Sequence, residues 1–135
     1  MAYDSDNIET YQFPSLDWGN NVSEVFGFRG PKGKKGRLVD YGMMGATEAF
    51  TGAVTVAVGN AADADAYGEE FDVDGLADAD QKSVASENDP IADKAAYDAL
   101  MVEPDLPADT AIKVTVTGVA AAGIGTPFVK VRWDE

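Results

Sequence analysis

The sequence predicts an all-β fold, mainly antiparallel, of the β-sandwich or jelly-roll-like barrel type with one short helix. Residues 54–58 alternate valine with threonine or alanine, and residues 112–117 and 128–133 repeat this alternation of side chains. A period of two is the pattern of a strand with one buried face. These strands stand before and after a single helix-like segment, without the strand–helix alternation of a parallel sheet, which favours an antiparallel architecture. The 135 residues suffice for one domain.

Residues 1–35 are predicted to form an extended N-terminal arm, which precedes a β-sandwich domain at residues 36–135. The arm shows little sustained periodicity, although residues 22–28 have the composition of a strand. It contains six of the thirteen aromatic residues of the chain, and large aromatic side chains on an irregular segment need a surface that buries them. We expect that surface to belong to a neighbouring subunit, with the chain's own domain as the alternative. The six residues are Tyr3, Tyr11, Phe13, Trp18, Phe26 and Phe28.

Four strands are predicted in the domain. Residues 38–44 are apolar enough for a buried strand, and Gly42 and Gly45 indicate a bulge or close packing there. The other three strands are the alternating segments described above, and the Gly-rich residues 120–125 are expected to form a hairpin loop between the last two. The residues expected to form the core are Val54, Val56, Val58, Ile112, Val114, Val116, Val129 and Val131.

Residues 90–101 are predicted to form the short helix. Asp89 supplies an N-cap and Pro90 the first helical residue, and alanine, leucine and methionine, which are good helix formers, follow. Pro104 ends the segment, because proline cannot continue a helix. The residues expected to face the core are Ile91, Ala95 and Leu100.

The composition excludes several classes of site. The chain contains no cysteine and no histidine, so disulfides, thiolate nucleophiles, most zinc sites and catalytic triads with an imidazole base are excluded. We therefore expect no enzymatic activity and no cofactor. The N-terminal residues are polar and acidic, unlike a signal peptide, and no run approaches the roughly 18 apolar residues of a membrane span.

The net charge of −14 is unevenly distributed along the chain. Residues 1–37 hold five acidic and five basic residues, whereas residues 63–109 hold fifteen acidic residues against only Lys82 and Lys94. A surface of that kind repels phosphate, so nucleic acid is not an expected partner. A membrane is not an expected partner either.

The segment RGPKGKKGR, residues 29–37, is predicted to be a basic loop. Its five basic residues stand among three glycines and one proline, a composition typical of a turn or flexible loop. It is not a phosphate-binding loop, because no Gly-Lys-Ser/Thr ends it and no helix pattern follows. We expect it to meet an acidic neighbour while the aromatic residues of the arm supply apolar contacts. The candidate partner-binding residues are Tyr11, Phe13, Trp18, Phe26, Phe28, Arg29, Lys32, Lys34, Lys35 and Arg37.

Residues 58–80 carry eight carboxylates and no basic residue. Asp63, Asp65 and Asp74 match positions 1, 3 and 12 of an EF-hand loop, but Tyr67 occupies position 5 and no helix pattern flanks the segment. We expect a solvent-exposed connection between strands that binds no metal. The alternatives are a pair of carboxylates acting as a glycosidase acid and base, and a looser calcium site that uses some of Asp63, Asp65, Asp72 and Asp74.

Two segments carry a resemblance to a known class of proteins. The first is GRLVDYGMMGATEAFTGAVTVAVGNAADADAYGE, which starts at Gly36, and the second is LPADTAIKVTVTGVAAAGIGTPFVKVRW, which ends at Trp133. Their order is a strand, a Thr/Val strand, an acidic turn, and a Gly-rich link to a last strand that ends in tryptophan. In this order, residues 36–135 resemble the small capsid decoration, or cement, proteins of tailed bacteriophages.

The resemblance implies a β-sandwich or jelly-roll domain that oligomerises, often as a trimer, on the outer surface of the capsid. The implied function is structural: the protein stabilises the virion by bridging subunits of the major capsid protein. The implied partners are the major capsid protein and further copies of the chain. The alternatives are a calcium- or carbohydrate-binding β-sandwich module of a phage tail, a fibre or a secreted protein, and a small carboxylate-based hydrolase.

Overall fold

The structure, a computed structural model, describes residues 8–19, 22–77, 80–119 and 122–134. These residues form two antiparallel sheets packed around one core, so the predicted all-β fold is confirmed. The elements are β1 (Ile8–Gln12), β2 (Leu16–Asp17), β3 (Ser23–Phe28), β4 (Gly36–Glu48), β5 (Val54–Gly59), β6 (Gly68–Asp72), β7 (Lys82–Ser83), α1 (Val84–Glu87), α2 (Lys94–Leu100), β8 (Asp105–Leu106), β9 (Ile112–Gly118) and β10 (Ile124–Trp133).

The two sheets are built around pairs of central strands. The first sheet has the order β1-β10-β4-β7, with β2 beside β10 and β8 beside β4. The second sheet has the order β3-β9-β5-β6. The long strands β4 and β10 form the centre of the first sheet, and β5 and β9 form the centre of the second. Each sheet therefore has an edge strand from the N-terminal part of the chain, β1 in the first and β3 in the second.

Alternate side chains of the central strands fill the space between the sheets. All eight residues predicted for the core are fully buried. Leu38, Tyr41 and Met43 pack in the same cluster from the first sheet. Valine and isoleucine suit these positions because their branched side chains pack well on a pleated surface.

The hairpin predicted at residues 120–125 is wrong. β9 belongs to the second sheet and β10 to the first, so the chain crosses between the sheets here. β9 already pairs with β3 on one side and with β5 on the other, which leaves no edge for β10. Residues 120 and 121 of this connection lie outside the described residues.

The predicted helix forms as α2, over fewer residues than expected, and it turns a different face to the core. Ile91 is 90% exposed and Ala95 is exposed, so the prediction that they face inward is wrong, whereas Leu100 packs against the core. Asp89 accepts hydrogen bonds from the backbone N–H groups of the next turn, Ile91 at 2.7 Å and Ala92 at 3.1 Å. These bonds lower the pKa of the Asp89 carboxyl. Asp89 thus caps a turn that precedes α2, whose own N-cap residue is Asp93, so the prediction that Asp89 caps the helix is wrong.

Tyr97 anchors α2 to the first sheet. Between β4 and β10 the register shifts so that Val39 has no partner residue on β10. An extra residue of this kind is a β-bulge, and it leaves backbone groups outside the ladder. The hydroxyl of Tyr97 donates to the Val39 carbonyl oxygen at 2.6 Å. The bulge is therefore where the helix attaches, and this attachment explains why Tyr97, rather than Ile91, faces inward.

The described part of the predicted arm belongs to the two sheets. β1 and β2 pair with β10, and β3 pairs with β9. Trp18 is fully buried, and its indole N–H donates to the carbonyl oxygen of Gly125 at 3.3 Å. The prediction that the arm extends away from its own domain is therefore wrong for residues 8–19 and 22–35. Tyr3 lies outside the described residues.

Replacing Trp18 by alanine should lower the free energy of unfolding by about 3–5 kcal/mol, because a large buried side chain leaves a cavity. Urea denaturation measures this loss. The control is Val119→Ala, a position that is 62% exposed, which should change stability by no more than about 0.5 kcal/mol.

Deletion of residues 1–20 should unfold the domain, since it removes β1, β2 and Trp18 together. A truncated chain that keeps its melting temperature would contradict this assignment of the N-terminal strands.

Candidate partner-binding surface

An aromatic seam, formed by Tyr11, Phe13, Phe26 and Phe28, joins the two N-terminal edge strands. The rings of Tyr11 and Phe28 stack with centroids 4.3 Å apart, and those of Phe13 and Phe26 stack at 5.2 Å. All four side chains are half-buried and pack against the core. In each segment the two aromatic residues are two positions apart, which is the strand period. That spacing was the sequence signal for a seam between two strands.

Trp133 connects the seam to the end of β10. Its indole N–H donates to the Tyr11 hydroxyl oxygen at 2.9 Å, and its ring meets the Tyr11 ring edge-on at 6.4 Å. The Tyr11 hydroxyl in turn donates to the Glu9 carboxylate at 2.9 Å. Burial, together with the hydrogen bond to Glu9, raises the pKa of Tyr11 to about 12. The phenol therefore stays protonated at neutral pH and holds both partners.

The glycines of the basic loop allow this tryptophan to lie against the backbone. A Cβ on Gly30 would lie 2.1 Å from a ring carbon of Trp133, and a Cβ on Gly36 would lie 2.5 Å from another. Neither distance is compatible with a side chain. Gly33 has a different role, because its φ of +75° lies in the left-handed region and no atom would stand within 4 Å of a Cβ there.

The basic loop is held in place by Asp109. The Arg29 guanidinium donates to the Asp109 carbonyl oxygen at 2.8 Å, and the Gly33 N–H donates to the Asp109 carboxylate at 2.8 Å. Asp109 has a φ of +54°, a conformation that aspartate tolerates better than most residues. At its other end, the loop accepts a hydrogen bond from the N–H of Asp134 at the carbonyl oxygen of Lys35, at 2.9 Å. The loop predicted to be flexible is thus tied to two neighbouring segments.

These contacts gather positive charge at one end of the molecule. We call residues 28–37, 104–113 and 130–134 the basic end, because strand pairing and the contacts of Asp109 bring them together. The basic end holds eight basic and three acidic residues, a net of +5 on a chain of net charge −14. All five basic residues predicted for partner binding belong to it, and the fold adds three others. The eight are Arg29, Lys32, Lys34, Lys35, Arg37, Lys113, Lys130 and Arg132.

The five aromatic residues predicted to bind a partner differ in their surroundings. Trp18 is fully buried, so the prediction that it contacts a partner is wrong. The four residues of the aromatic seam pack against one another and the core, and part of each side chain is exposed. Their contact with a partner stays a prediction.

Two clefts open on the basic end. One has a volume of about 500 Å³ and lies beside β3 and β9, where Arg29 and Lys113 line it. The other has a volume of about 490 Å³ and lies across the ends of β4, β8 and β10. Its lining residues are Lys35, Gly36, Arg37, Asp105, Leu106, Pro107, Arg132 and Asp134.

Three carboxylates of the acidic segment accept hydrogen bonds from backbone N–H groups of their own chain. Asp63 accepts from the N–H of Asp65 at 3.3 Å, Asp72 from that of Asp74 at 2.8 Å, and Asp74 from that of Gly52 at 3.0 Å. Asp63 and Asp65 precede β6, whereas Asp72 is its last residue and Asp74 lies two residues beyond it. The strand, about 13 Å long, therefore separates the first pair of carboxylates from the second. Within the described ranges no group of three or more Asp or Glu residues is placed to hold a metal ion.

Asp40 is the buried carboxylate of the described residues. It accepts hydrogen bonds from the N–H of Tyr41 and the N–H of Ala85, both at 2.9 Å. Ala85 lies in the first turn of α1, whose N-cap is Ser83, so Asp40 binds the N-terminal end of that turn. Burial raises the pKa of the Asp40 carboxyl, and the hydrogen bonds and the Lys130 ammonium oppose the rise.

The chain matches no protein-family model, no curated protein and no solved structure. In the described part of the chain, no helix is both long and apolar enough to cross a membrane. The function is therefore argued from the residues and contacts above.

Replacing Gly36 by alanine should cost about 1–3 kcal/mol of stability, because the new methyl group overlaps the Trp133 ring. In a Trp133→Phe background, which lacks the overlapping ring atoms, the same change should cost less, and a double-mutant cycle in urea measures the coupling. Gly33→Asn is the control in the same loop: a Cβ there meets no atom within 4 Å, and asparagine tolerates a positive φ better than most residues, so its cost should be small and the same in both Trp133 backgrounds. Equal costs in both Trp133 backgrounds would contradict the close contact.

Asp40→Asn tests the buried carboxyl. Its folded-state pKa lies above the unfolded value, so protonation stabilises the folded protein. This stabilisation is complete below the unfolded pKa of about 3.9 and is lost as the pH rises through the folded-state pKa. We expect the free energy of unfolding of the wild type, minus that of Asp40→Asn, to be largest near that lower limit and to decrease toward neutral pH. Urea unfolding at a series of pH values measures the difference; an increase with pH would contradict the raised pKa.

Proposed function

We propose that this protein is a structural virion protein that decorates the outer surface of a bacteriophage capsid. It stabilises the capsid by bridging subunits of the major capsid protein. Support comes from the antiparallel two-sheet fold and from the resemblance of residues 36–135 to capsid decoration proteins. The chemistry of the surface also supports a structural role, because the carboxylates of Asp63, Asp72 and Asp74 accept hydrogen bonds from backbone groups of their own chain.

The basic end is the observation that carries the proposal. The basic end has a net charge of +5 on a chain whose net charge is −14. An acidic surface attracts this end and repels the rest of the molecule, so the charge distribution orients the protein on that surface. The loop at this end is tied to Asp109 and to the end of β10, so little ordering is required when it binds. A decoration protein needs such a one-sided, preformed attachment surface. Its many copies on a shell then turn modest affinities into stable attachment of neighbouring subunits.

The edge of β3 is the surface that we propose for association between copies of the chain, with a trimer as the expected state. Within the described residues β3 pairs only with β9, and Val25 on it is 59% exposed. Its one charged residue is Glu24. The opposite edge strand of the second sheet, β6, carries three carboxylates, and charged side chains protect an edge strand from pairing. β3 is therefore the less protected edge of this sheet.

Binding to capsid shells tests the proposal. Full-length protein is incubated with undecorated shells of the phage from which the chain derives, and bound protein is measured by co-sedimentation at low and high salt. Reversing the charge of Lys32 and Lys34 to glutamate should weaken binding by about tenfold or more, because both lie in the loop of the basic end. The matched control is Lys82→Glu with Lys94→Glu, two basic residues outside the basic end, which should change binding by no more than about twofold.

Two results would contradict the proposal. Shells that never take up the wild-type protein would reject the function. Shells that bind the Lys32 and Lys34 variant as tightly as the wild type would show that attachment uses another surface. Light scattering on the free protein gives its mass, and a monomer at all concentrations would reject association through β3.

A further inference from the structure

We propose that β3 of one copy of the chain pairs, antiparallel, with β6 of a second copy. The two strands are the opposite edges of the second sheet, so the same contact repeated head-to-tail joins copies into a closed ring such as a trimer. This inference rests on the proposed association through β3 and names the strand that meets it.

The free edge of β3 presents backbone groups of Val25 and Gly27. In an antiparallel pair, alternate residues exchange hydrogen bonds with the neighbouring strand. The N–H of Val119 donates to the Ala53 carbonyl oxygen at 2.8 Å, which continues the β5–β9 ladder and directs the odd-numbered residues of β9 toward β5. The even-numbered residues of β9 therefore bond to β3, where their partners are Glu24, Phe26 and Phe28. The residues between these partners direct their N–H and C=O groups outward.

The free edge of β6 presents backbone groups of Glu70 and Asp72. The N–H of Val73 donates to the Val54 carbonyl oxygen at 2.9 Å, so Val73 bonds to β5. By the same alternation, Asp72 and Glu70 direct their backbone groups away from β5. The Glu70 N–H contacts the carboxylate of its neighbour Glu69 at 3.4 Å. Within the described residues β6 pairs only with β5, so these groups are open to a second copy.

The start of β6 is already covered by its own chain. The carbonyl oxygen of Tyr67 accepts a hydrogen bond from the N–H of Glu103 at 3.1 Å, and that of Glu69 accepts one from the Tyr41 hydroxyl. The accessible part of this edge therefore begins at Glu70, which limits the ways in which another strand can align with it.

The β3 edge carries positive charge on the outer face of the sheet. Gly27 lies opposite Lys113 of β9, and a Cβ on Gly27 would lie 3.3 Å from the Lys113 Nζ atom, so the lysine side chain lies across Gly27. Arg29 follows two residues later, and both cations line the cleft of about 500 Å³ beside β3. Neither forms an ion pair with a described carboxylate; Arg29 donates to a backbone oxygen, that of Asp109.

The β6 edge carries the complementary charge. Glu70 and Asp72 are exposed, whereas Phe71 between them is buried, so both carboxylates lie on the outer face of the sheet. Neither forms an ion pair with a described residue. Carboxylates of this kind protect an edge against an apolar or acidic strand, but they attract a basic one.

One register joins the free backbone groups and the charges together. With Gly27 opposite Asp72 of the second copy, Arg29 lies opposite its Glu70. Residues directly opposite have Cβ atoms about 4.5–5.5 Å apart, a distance that suits ion pairs from Arg29 and from the Lys113 side chain. On the inner face of the sheet, Phe28 then lies opposite Phe71 of the second copy.

Symmetric pairings fit the charges and the expected trimer less well. Two β6 edges would place carboxylates opposite carboxylates, and like charges directly opposite are destabilising. Two β3 edges would close a dimer about a two-fold axis and leave both β6 edges unpaired. The head-to-tail contact occupies every free edge of the second sheet.

Charge exchange in the full-length protein tests the contact. Lys113→Glu and Asp72→Lys should each weaken self-association about tenfold or more, because each places like charges across the contact. A chain with both changes restores an opposite pair at every contact and should associate within about threefold of the wild type. Light scattering at a series of concentrations measures the mass. The control is Lys94→Glu, the same change of charge on α2, which should alter association by no more than about twofold.

Cross-linking reports the register, because the chain contains no cysteine of its own. In the proposed register Val25 is diagonal to Asp72 of the second copy, about 7–8 Å away, which a short bismaleimide spans. We expect a mixture of Val25→Cys and Asp72→Cys chains to form the mixed cross-link. Within one chain these positions lie three strand spacings apart, about 14 Å, too far for the reagent.

Several results would overturn the inference. Val25→Cys chains that cross-link only with one another would show β3–β3 pairing instead. Association that resists both charge reversals, or that the combined Lys113→Glu/Asp72→Lys chain fails to recover, would reject the ion pairs. A wild-type monomer at all concentrations would reject the contact itself. If Lys113→Glu melts early, Lys113→Gln provides the comparison, because it removes the charge without reversing it.

Shell binding separates failure of this contact from failure of the proposed function. Shells that take up the wild type, together with association that neither charge reversal weakens, would overturn the β3–β6 contact and leave decoration intact. Recovery of association by charge exchange, in a protein that no shell takes up, would support the contact and reject the proposed function.

Discussion

The packing of the Trp133 indole between Gly30 and Gly36 is the contact on which the basic end depends. It brings the end of β10, the basic loop and the start of β4 to one place, and its N–H donates to Tyr11 on β1 at 2.9 Å. Because neither glycine has a side chain, the ring lies directly on the backbone. Arg37 and Arg132 are each one residue away from Gly36 and Trp133, so this contact lies next to the backbone of both arginines.

The N-terminal strands have a structural role that also shapes the surface. β1 and β3 are edge strands of different sheets, and the stacked rings of the aromatic seam link them. These rings are half-buried within their own chain, so our proposal places attachment on the charged groups beside them. The backbone of β3 remains exposed on one side within the described residues, which suits association between copies. The same segment of the chain thus stabilises the fold and carries the edge that we propose for assembly.

Carboxylates serve the fold in two different environments. Those of the acidic segment, such as Asp63 and Asp72, accept backbone hydrogen bonds at the surface, where charge costs little. Asp40 instead holds the N–H of Ala85 in a buried position, where desolvation opposes its charge. The remaining acidic residues keep most of the surface negative. The contrast between this negative surface and the basic end is what can orient the molecule in the electric field of a charged partner.

The sequence by itself determined the fold class, the core and the segregation of charge. Strict alternation in residues such as Val54, Val114 and Val131 specifies both a strand and its buried face, since the side-chain period of a strand is two. The composition of residues 29–37 likewise indicated a basic loop. The tertiary structure alone decided which strands are neighbours, because pairing depends on which edges are already occupied. For that reason the chain crosses between sheets before β10, Trp18 enters the core, and Arg132 comes to lie beside Arg37, 95 positions earlier in the sequence.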